Sequence, residues 1–311
     1  MSSDRGPIYL TLFAAMLAVM GIIIPDWAMF LLTVALCYGI VVLGMVMLVR
    51  SGLVSFGHGL YYCLGAYSAA TLNPFLGITE IIIMLLVAVL ITGVVSFLLG
   101  FLLRRYRDIF FAMLSLALSM ILYGILSKSS TLGSTDGFNV VVKTIFGSEI
   151  QSLQFGRYWI FLTTVIIAFA SCLAVHAYFK SAKGKIAKAI SNNELRVEYL
   201  GASVTKIIHV NYVVSAIFAG LGGALMAVSV GHVDPEMSYW TTSGEFVFIT
   251  IMGGSGSAFA PFLGSFIFTT VRSFAYEYSP ETWQLLLGTV MLLIIFFLPN
   301  GIWSLFKNCK K

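Results

Sequence analysis

The sequence predicts an all-α fold, a polytopic membrane bundle of about ten transmembrane helices with both termini in the cytoplasm and some segments broken or re-entrant. Three observations carry that reading. Hydrophobic residues make up 59% of the 311 and charged residues only 10%, against about 25% charged in soluble domains. The apolar residues form long continuous runs, without the period of two that a barrel strand needs. Lysine and arginine gather in alternate connections.

Ten apolar segments can be marked at 7–24, 28–49, 52–72, 80–103, 109–127, 158–179, 207–230, 240–254, 258–276 and 282–303. Most approach the ~20 residues that a helix needs to cross ~30 Å of hydrocarbon. In lipid each backbone N–H and C=O must be satisfied within its own segment, so these runs are helices. The first is kept as a span because Asp4 offsets Arg5 before it and no small-x-small cleavage site precedes Pro25. The run 240–254 is short enough to be re-entrant. The whole chain, 1–311, reads as one transmembrane domain, with 180–206 its longest basic connection.

Starting inside and crossing ten times, the inner segments hold fourteen of the 18 basic residues, among them Arg50, Arg104, Arg105, Arg107 and Arg196. The outer segments hold Lys128, Lys143, Arg157 and Arg272. Nine of the 13 acids fall outside, including Asp136, Asp234, Glu236 and Glu245. The net charge of +5 is thus an inner-face bias, and nucleic acid is not an expected partner.

The chemistry that can be excluded is broad. No G-x-x-x-x-G-K-[ST] occurs, so no P-loop is present. Cys37, Cys63, Cys172 and Cys309 make neither a disulfide framework nor a zinc spacing, and read as filler. "GGSG" at 253–256 resembles an intramembrane serine protease motif, but no histidine base follows His232. An ion-coupled carrier would place charges inside its spans. Here charges cluster at segment ends, leaving His58 as the titratable group at depth, and single histidines such as His176 and His209 sit near inner boundaries.

Polar and small residues interrupt the apolar pattern in a few places. "SGLVSFGHGLYYCLGAY", 51–67, carries glycines that let a helix begin late, unwind or pack closely. Ser55, His58 and Tyr62 fall near i, i+3 and i+7 and are expected to share a helical face looking onto the bundle interior. Such groups either line a polar route or simply bond neighbouring helices. "SAIFAGLGGALMA" places Ser215, Ala219, Gly223 and Ala216, Gly220, Ala224 in two stripes that permit close helix approach, at a bundle core or a subunit seam. "GGSGSAFAP" reads as a tight turn between two half-depth spans. In 180–206, "SNNE" is expected to be a capping box joining Ser191 and Glu194, Gly201 to end that helix in the left-handed region, and Ser203 to cap the next. The helix so defined either docks a partner or lies on the lipid headgroups.

"SGLVSFGHGLYYCLGAYSAA", "DIFFAMLSLALSMIL", "STDGFN", "GKIAKAISNNELRVEYLGASVTK", "SAIFAGLGGALMA" and "IMGGSGSAFAPFLGSFI" occur in the order and spacing of one family. From about 30 to 303 the chain resembles the LivM-type permeases of branched-chain amino-acid ABC importers. The resemblance departs at Lys188, Ser191 and near Leu298, where members often carry arginine, and at Ser115, where they often carry threonine.

The resemblance implies a non-catalytic permease in the bacterial inner membrane. Its implied partners are a homologous second permease, two cytoplasmic ATPase subunits that bind ATP and magnesium, and a periplasmic substrate-binding protein. No cofactor or metal is expected in this chain itself. Branched-chain or other hydrophobic amino acids are the implied substrates, with urea, amides or small aromatic acids as alternatives. The translocation candidates are Ser55, His58, Tyr62, Ser115 and Ser119. The 180–206 connection corresponds to the coupling loop, with Ser191, Asn193, Glu194, Arg196, Glu198 and Gly201 as ATPase-coupling candidates. Asp136, Asp234 and Glu236 are the candidates for docking the binding protein.

Overall fold

The computed structural model describes residues 16–17, 20–21, 23–142, 144–145, 147–149, 152–299 and 301–308. Most of the expected first span, with Arg5, lies outside them, as do Lys143, Cys309, Lys310 and Lys311. From Asp26 onward the chain forms α1 (Asp26–Val49), α2 (His58–Leu76), α3 (Ile81–Leu103), α4 (Asp108–Lys128) and α5 (Leu153–Lys180). Two short helices follow in the basic 180–206 connection, α6 (Ala182–Asn192) and α7 (Glu194–Tyr199). The remainder is α8 (Val204–Val230), α9 (Trp240–Gly253), α10 (Ala260–Tyr278), α11 (Trp283–Phe297) and α12 (Trp303–Asn308).

By length and composition α1, α3, α4, α5 and α8 can cross a membrane. At 14 residues, α9 covers roughly 21 Å at ~1.5 Å per residue and falls short of a full crossing alone. It is preceded by a 3₁₀ turn, Pro235–Ser238, whose Pro235 and Ser238 are buried, so the chain enters the bundle before the helix begins.

The centre of the bundle is α8, packed on α1, α2 and α3. Its small residues explain why three neighbours can approach it so closely. A Cβ at Gly223 would lie 1.9 Å from the Tyr62 carbonyl oxygen of α2, and one at Gly220 would lie 2.3 Å from Thr92 of α3. The approach is mutual, since a Cβ at Gly65 on α2 would lie 2.1 Å from the Gly220 carbonyl oxygen. The stripes therefore build the bundle core. Gly253 packs just as closely on Ala260 and Gly264, forming the tight α9–α10 turn.

Four details differ from the sequence expectation. Among the described residues, strands are confined to two-residue pairings in the loops: β1 (Phe138–Asn139) pairs antiparallel with β4 (His232–Val233), and β2 (Thr144–Ile145) with β3 (Ser148–Glu149). The helix expected from residue 52 begins at His58, so Ser55 shares no helical face with His58 and Tyr62. Charge is present between the helices, because Glu245 of α9 and Arg272 of α10 pair at 2.9 Å. Finally, the histidine at 209 is a buried residue packed against the rings of Phe97 and Phe101.

Candidate functional site

Residues 51–57 are non-helical yet largely buried, so their backbone needs partners from outside the segment. Serines supply them. The Phe56 N–H donates to Ser115 Oγ of α4 at 3.1 Å, the Gly57 N–H to Ser55 Oγ at 3.2 Å, and the Gly59 N–H to Ser243 Oγ of α9 at 2.9 Å. Three hydroxyls from three parts of the chain thus satisfy the opening of α2, in place of the side-chain N-cap that Gly57 cannot provide.

Position along the helices gives the depth of this junction. Ser119 is the twelfth of the 21 residues of α4, and Ser215 the twelfth of the 27 of α8. Ser119 Oγ donates to the Ser238 carbonyl at 2.7 Å, and His58 Nε2 meets Ser215 Oγ at 2.6 Å. Two non-helical pieces, 51–57 and the 3₁₀ turn before α9, therefore converge about halfway along the bundle. Irregular backbone at that depth is tolerated where protein satisfies it.

Tyr62 continues inward from His58 on α2, its ring edge-on to Tyr38 and Phe246 at centroid distances of 6.2 and 5.2 Å. Ser55, His58, Tyr62, Ser115 and Ser119 are all brought together, each with at most 2% of its surface exposed. Of the two sequence alternatives, bonding between segments is the role visible within this chain for His58, Ser115 and Ser119, while Ser55 bonds within its own segment. The sequence reading missed Ser243 and Ser238, and no local pattern marks either one.

The cytoplasmic connection also departs from expectation. Ser191 Oγ donates to the Lys188 carbonyl at 2.8 Å, and Asn193 Oδ1 accepts from the Arg196 N–H at 2.9 Å. Asn193 is thus the N-cap, and no capping box joins Ser191 to Glu194. Asparagine is as good a cap as serine, and its extended backbone splits the region into α6 and α7. The Glu194 carboxylate is engaged elsewhere: Arg107, just before α4, grips it through Nε at 2.9 and 3.1 Å and Nη2 at 2.7 Å. Gly201 does adopt φ +83°, as expected, whereas the Ser203 side chain does not cap α8.

These helices are tied to the broken segment. Gly52, at φ +81°, lies so close to Ser191 that a Cβ would sit 3.2 Å from the Ser191 Cα. Ser51 Oγ accepts from Asn211 Nδ2 at 2.8 Å, and Tyr178 donates to Asn211 Oδ1. Val197 is buried inward, while Leu195, Tyr199 and Leu200 are exposed, Tyr199 at 90%. Arg196 and Glu198 lie on the same short helix and are exposed.

On the opposite end, β1–β4 pairing and the close contact of Gly137 with Val233 and Asp234 bring the two long loops together. Asp136 and Glu236 are exposed there, and Asp234 caps the 3₁₀ turn by accepting from the Met237 N–H at 3.3 Å.

The chain is thus a multi-pass helical bundle interrupted at mid-depth, with a short helix pair fastened to the interruption. The chain belongs to the family described as "Branched-chain amino acid transport system / permease component", whose model matches residues 28–295. It is similar to the high-affinity branched-chain amino acid transport system permease proteins LivM of Salmonella typhimurium and Escherichia coli. Those identities are 29% and 27%, each covering 87% of this chain and 68% of the relative. BraD of Pseudomonas aeruginosa is 23% identical over 87% of this chain and 92% of its own length. No solved structure matches. The chain is accordingly a permease subunit of an ABC importer.

Proposed function

We propose that this chain supplies half of the translocation pathway of an ATP-driven importer for branched-chain or other hydrophobic amino acids, in a bacterial inner membrane. It is a single, non-catalytic permease domain that pairs with a homologous permease. ATP and magnesium bind to two separate cytoplasmic subunits, and a periplasmic receptor delivers substrate. The names of the relatives support the substrate class.

The observation that carries the mechanism is the double attachment of the cytoplasmic helices. Their outer surface offers Leu195, Tyr199 and Leu200 beside Arg196 and Glu198, an apolar patch with both charges at its edge. Their inner surface is held by Arg107 at the start of α4 and by Gly52 at the start of the broken segment. A displacement imposed by ATPase closure on α6 and α7 therefore reaches α4 and the 51–57 segment together. Ser115 and Ser119 on α4, and Ser55, His58 and Tyr62 around the start of α2, are the groups it would move. Asp136, Asp234 and Glu236 form the acidic outer surface on which the receptor docks through basic groups, at a rate that falls as salt rises.

The test is ATP-dependent uptake of labelled leucine by liposomes holding this chain with its second permease, two ATPases and receptor. The chain alone should neither hydrolyse ATP nor accumulate leucine under a proton or sodium gradient. Gradient-driven accumulation by the single subunit would instead establish an ion-coupled carrier.

A further inference from the structure

Arg272 is anomalous for an apolar helix. Its side chain is 38% exposed and points toward Glu245, whose side chain is 19% exposed. Arg272 Nη1 makes both of its bonds, donating to Glu245 Oε2 at 2.9 Å and to the Tyr38 hydroxyl at 3.2 Å. Nε and Nη2 are left without a hydrogen-bond partner among the described residues. The guanidinium is held in place and still has donors to offer.

Arg272 lines a cavity of about 450 Å³ between α1, α8 and α10, within the ~300–1,000 Å³ range of small-molecule sites. Phe30, Val34, Met226 and Tyr276 give it an apolar wall, and Ser273 adds a hydroxyl beside Arg272. Intramembrane ionisable groups pair with one another and mark substrate routes, because their burial is costly. The sign of the wall selects the occupant. Glu245 already neutralises Arg272, so the pair carries no net charge and a net anion such as a lipid phosphate would be buried there without a full countercharge. A zwitterion avoids that penalty: its carboxylate meets the free guanidinium N–H groups, while its ammonium is drawn to the hydroxyls and the field of Glu245.

We propose that this cavity is a binding station for the zwitterionic head of an amino acid with an apolar side chain, Arg272 holding the carboxylate and the Phe30–Val34–Tyr276 wall holding the side chain. The proposal rests on the amino-acid importer reading above and locates its substrate in this chain.

A diazirine analogue of leucine can be photolysed with the full chain in nanodiscs and the labelled peptides mapped. Labelling is expected within 27–38 or 269–276 and should be displaced by leucine. 4-Methylpentanoate, which lacks the ammonium, and leucinol, which lacks the carboxylate, should displace it at least roughly tenfold less well, the scale of one lost charge-assisted hydrogen bond. Arg272→Gln should abolish labelling. Because that variant strands Glu245, Ser273→Trp provides a second one that fills the cavity and leaves the ion pair intact, and it too should lose labelling. Labelling confined to other segments, equal displacement by 4-methylpentanoate or phosphatidylglycerol, or full labelling of Ser273→Trp would each overturn the assignment. Uptake by the assembled importer separates the two readings. Leucine uptake with unchanged KM in Ser273→Trp removes the station and leaves the importer, whereas no leucine uptake by the unmodified assembly removes the amino-acid reading itself.

Discussion

The mid-depth junction and the cytoplasmic helix pair solve the same problem, anchoring a break in regular structure, with opposite chemistry. At the junction every anchor is a neutral hydroxyl or imidazole, fully enclosed: Ser115, Ser243, Ser119 and the His58–Ser215 contact. At the cytoplasmic pair the anchor is a charged clasp, Arg107 on Glu194, with side chains 25% and 34% exposed. Inside the bundle no water can replace a lost partner, so each bond is expensive to open. At the surface both charges can be rehydrated, and the clasp can part at little cost. The interior is thereby suited to holding a shape and the cytoplasmic pair to changing one.

The sharpest way to break the interior half of this contrast is steric. Gly223→Val places a branched side chain where even a Cβ would lie 1.9 Å from the Tyr62 carbonyl oxygen. Overpacking typically costs ~1–3 kcal/mol where side chains can yield, and backbone cannot yield as they do. The variant should be lost as monodisperse protein on size-exclusion chromatography, whatever the membrane insertion. Recovery at the unmodified level would show that α2 and α8 are not rigidly apposed.

A chemical test comes next in size. Ser115→Ala strands the partly buried Phe56 N–H, a loss of about 1–3 kcal/mol, and should lower Tm in detergent. Ser115→Thr keeps a hydroxyl and should recover much of the loss, provided the added methyl fits beside Gly57. An alanine variant as stable as the parent would mean that water or another group already serves that N–H, and the contrast with the surface would weaken.

Much of this was legible in the sequence, for identifiable reasons. Lipid demands long apolar helices, so the long helices follow from hydropathy. The stripes on α8 gave close packing because glycine and alanine at intervals of four have one use in an apolar helix. The unusual glycines at 52, 57 and 59 marked the broken segment correctly. Its partners were not legible, because Ser115 and Ser243 are 59 or more residues away and nothing local distinguishes a capping serine from a spectator. Asn193 prevailed over the expected capping box because the helix starts at Glu194, two residues later than "SNNE" suggests, and Glu194 was already claimed by Arg107. The Arg272–Glu245 pair was read as two separate outer charges, since their 27-residue separation hides that α9 and α10 turn back on one another.

Gly201→Val addresses the link between the cytoplasmic pair and α8. Gly201 has φ +83° and no atom within 4 Å of an added Cβ, so the cost is backbone strain alone, roughly 1–2 kcal/mol. Folding and membrane insertion should survive. In the assembled importer, ATP hydrolysis should continue while its stimulation by loaded receptor falls. Unchanged stimulation would mean that the turn bends freely and carries no displacement to α8.

Opening the clasp should have the smallest effect on stability and a clear effect on coupling. Arg107→Gln or Glu194→Gln removes a partly exposed pair worth about 0.2–1 kcal/mol, a shift in Tm that salt should diminish. The Glu194 side chain is not needed for the fold of α7, because Asn193 caps that helix and Val197 buries its inner face. What the pair does supply is the charged tie between α7 and the start of α4, whose Ser115 reaches the Phe56 N–H. Each single variant should therefore retain the ATPase subunits on co-purification yet transport less leucine per ATP hydrolysed. The swap Arg107→Glu with Glu194→Arg restores opposite charges, though not the bonds from Arg107 to the Arg104 and Tyr106 carbonyls at 2.7 and 2.8 Å, so it should recover coupling only in part. A surface helix resting on lipid headgroups predicts another result: Arg196→Glu would weaken its membrane contact, and the Arg107 and Glu194 variants would transport normally. If the single variants keep the full ratio of transport to hydrolysis, the clasp is a surface ion pair of no mechanical consequence, and the displacement must pass through Gly52 and Ser191 alone.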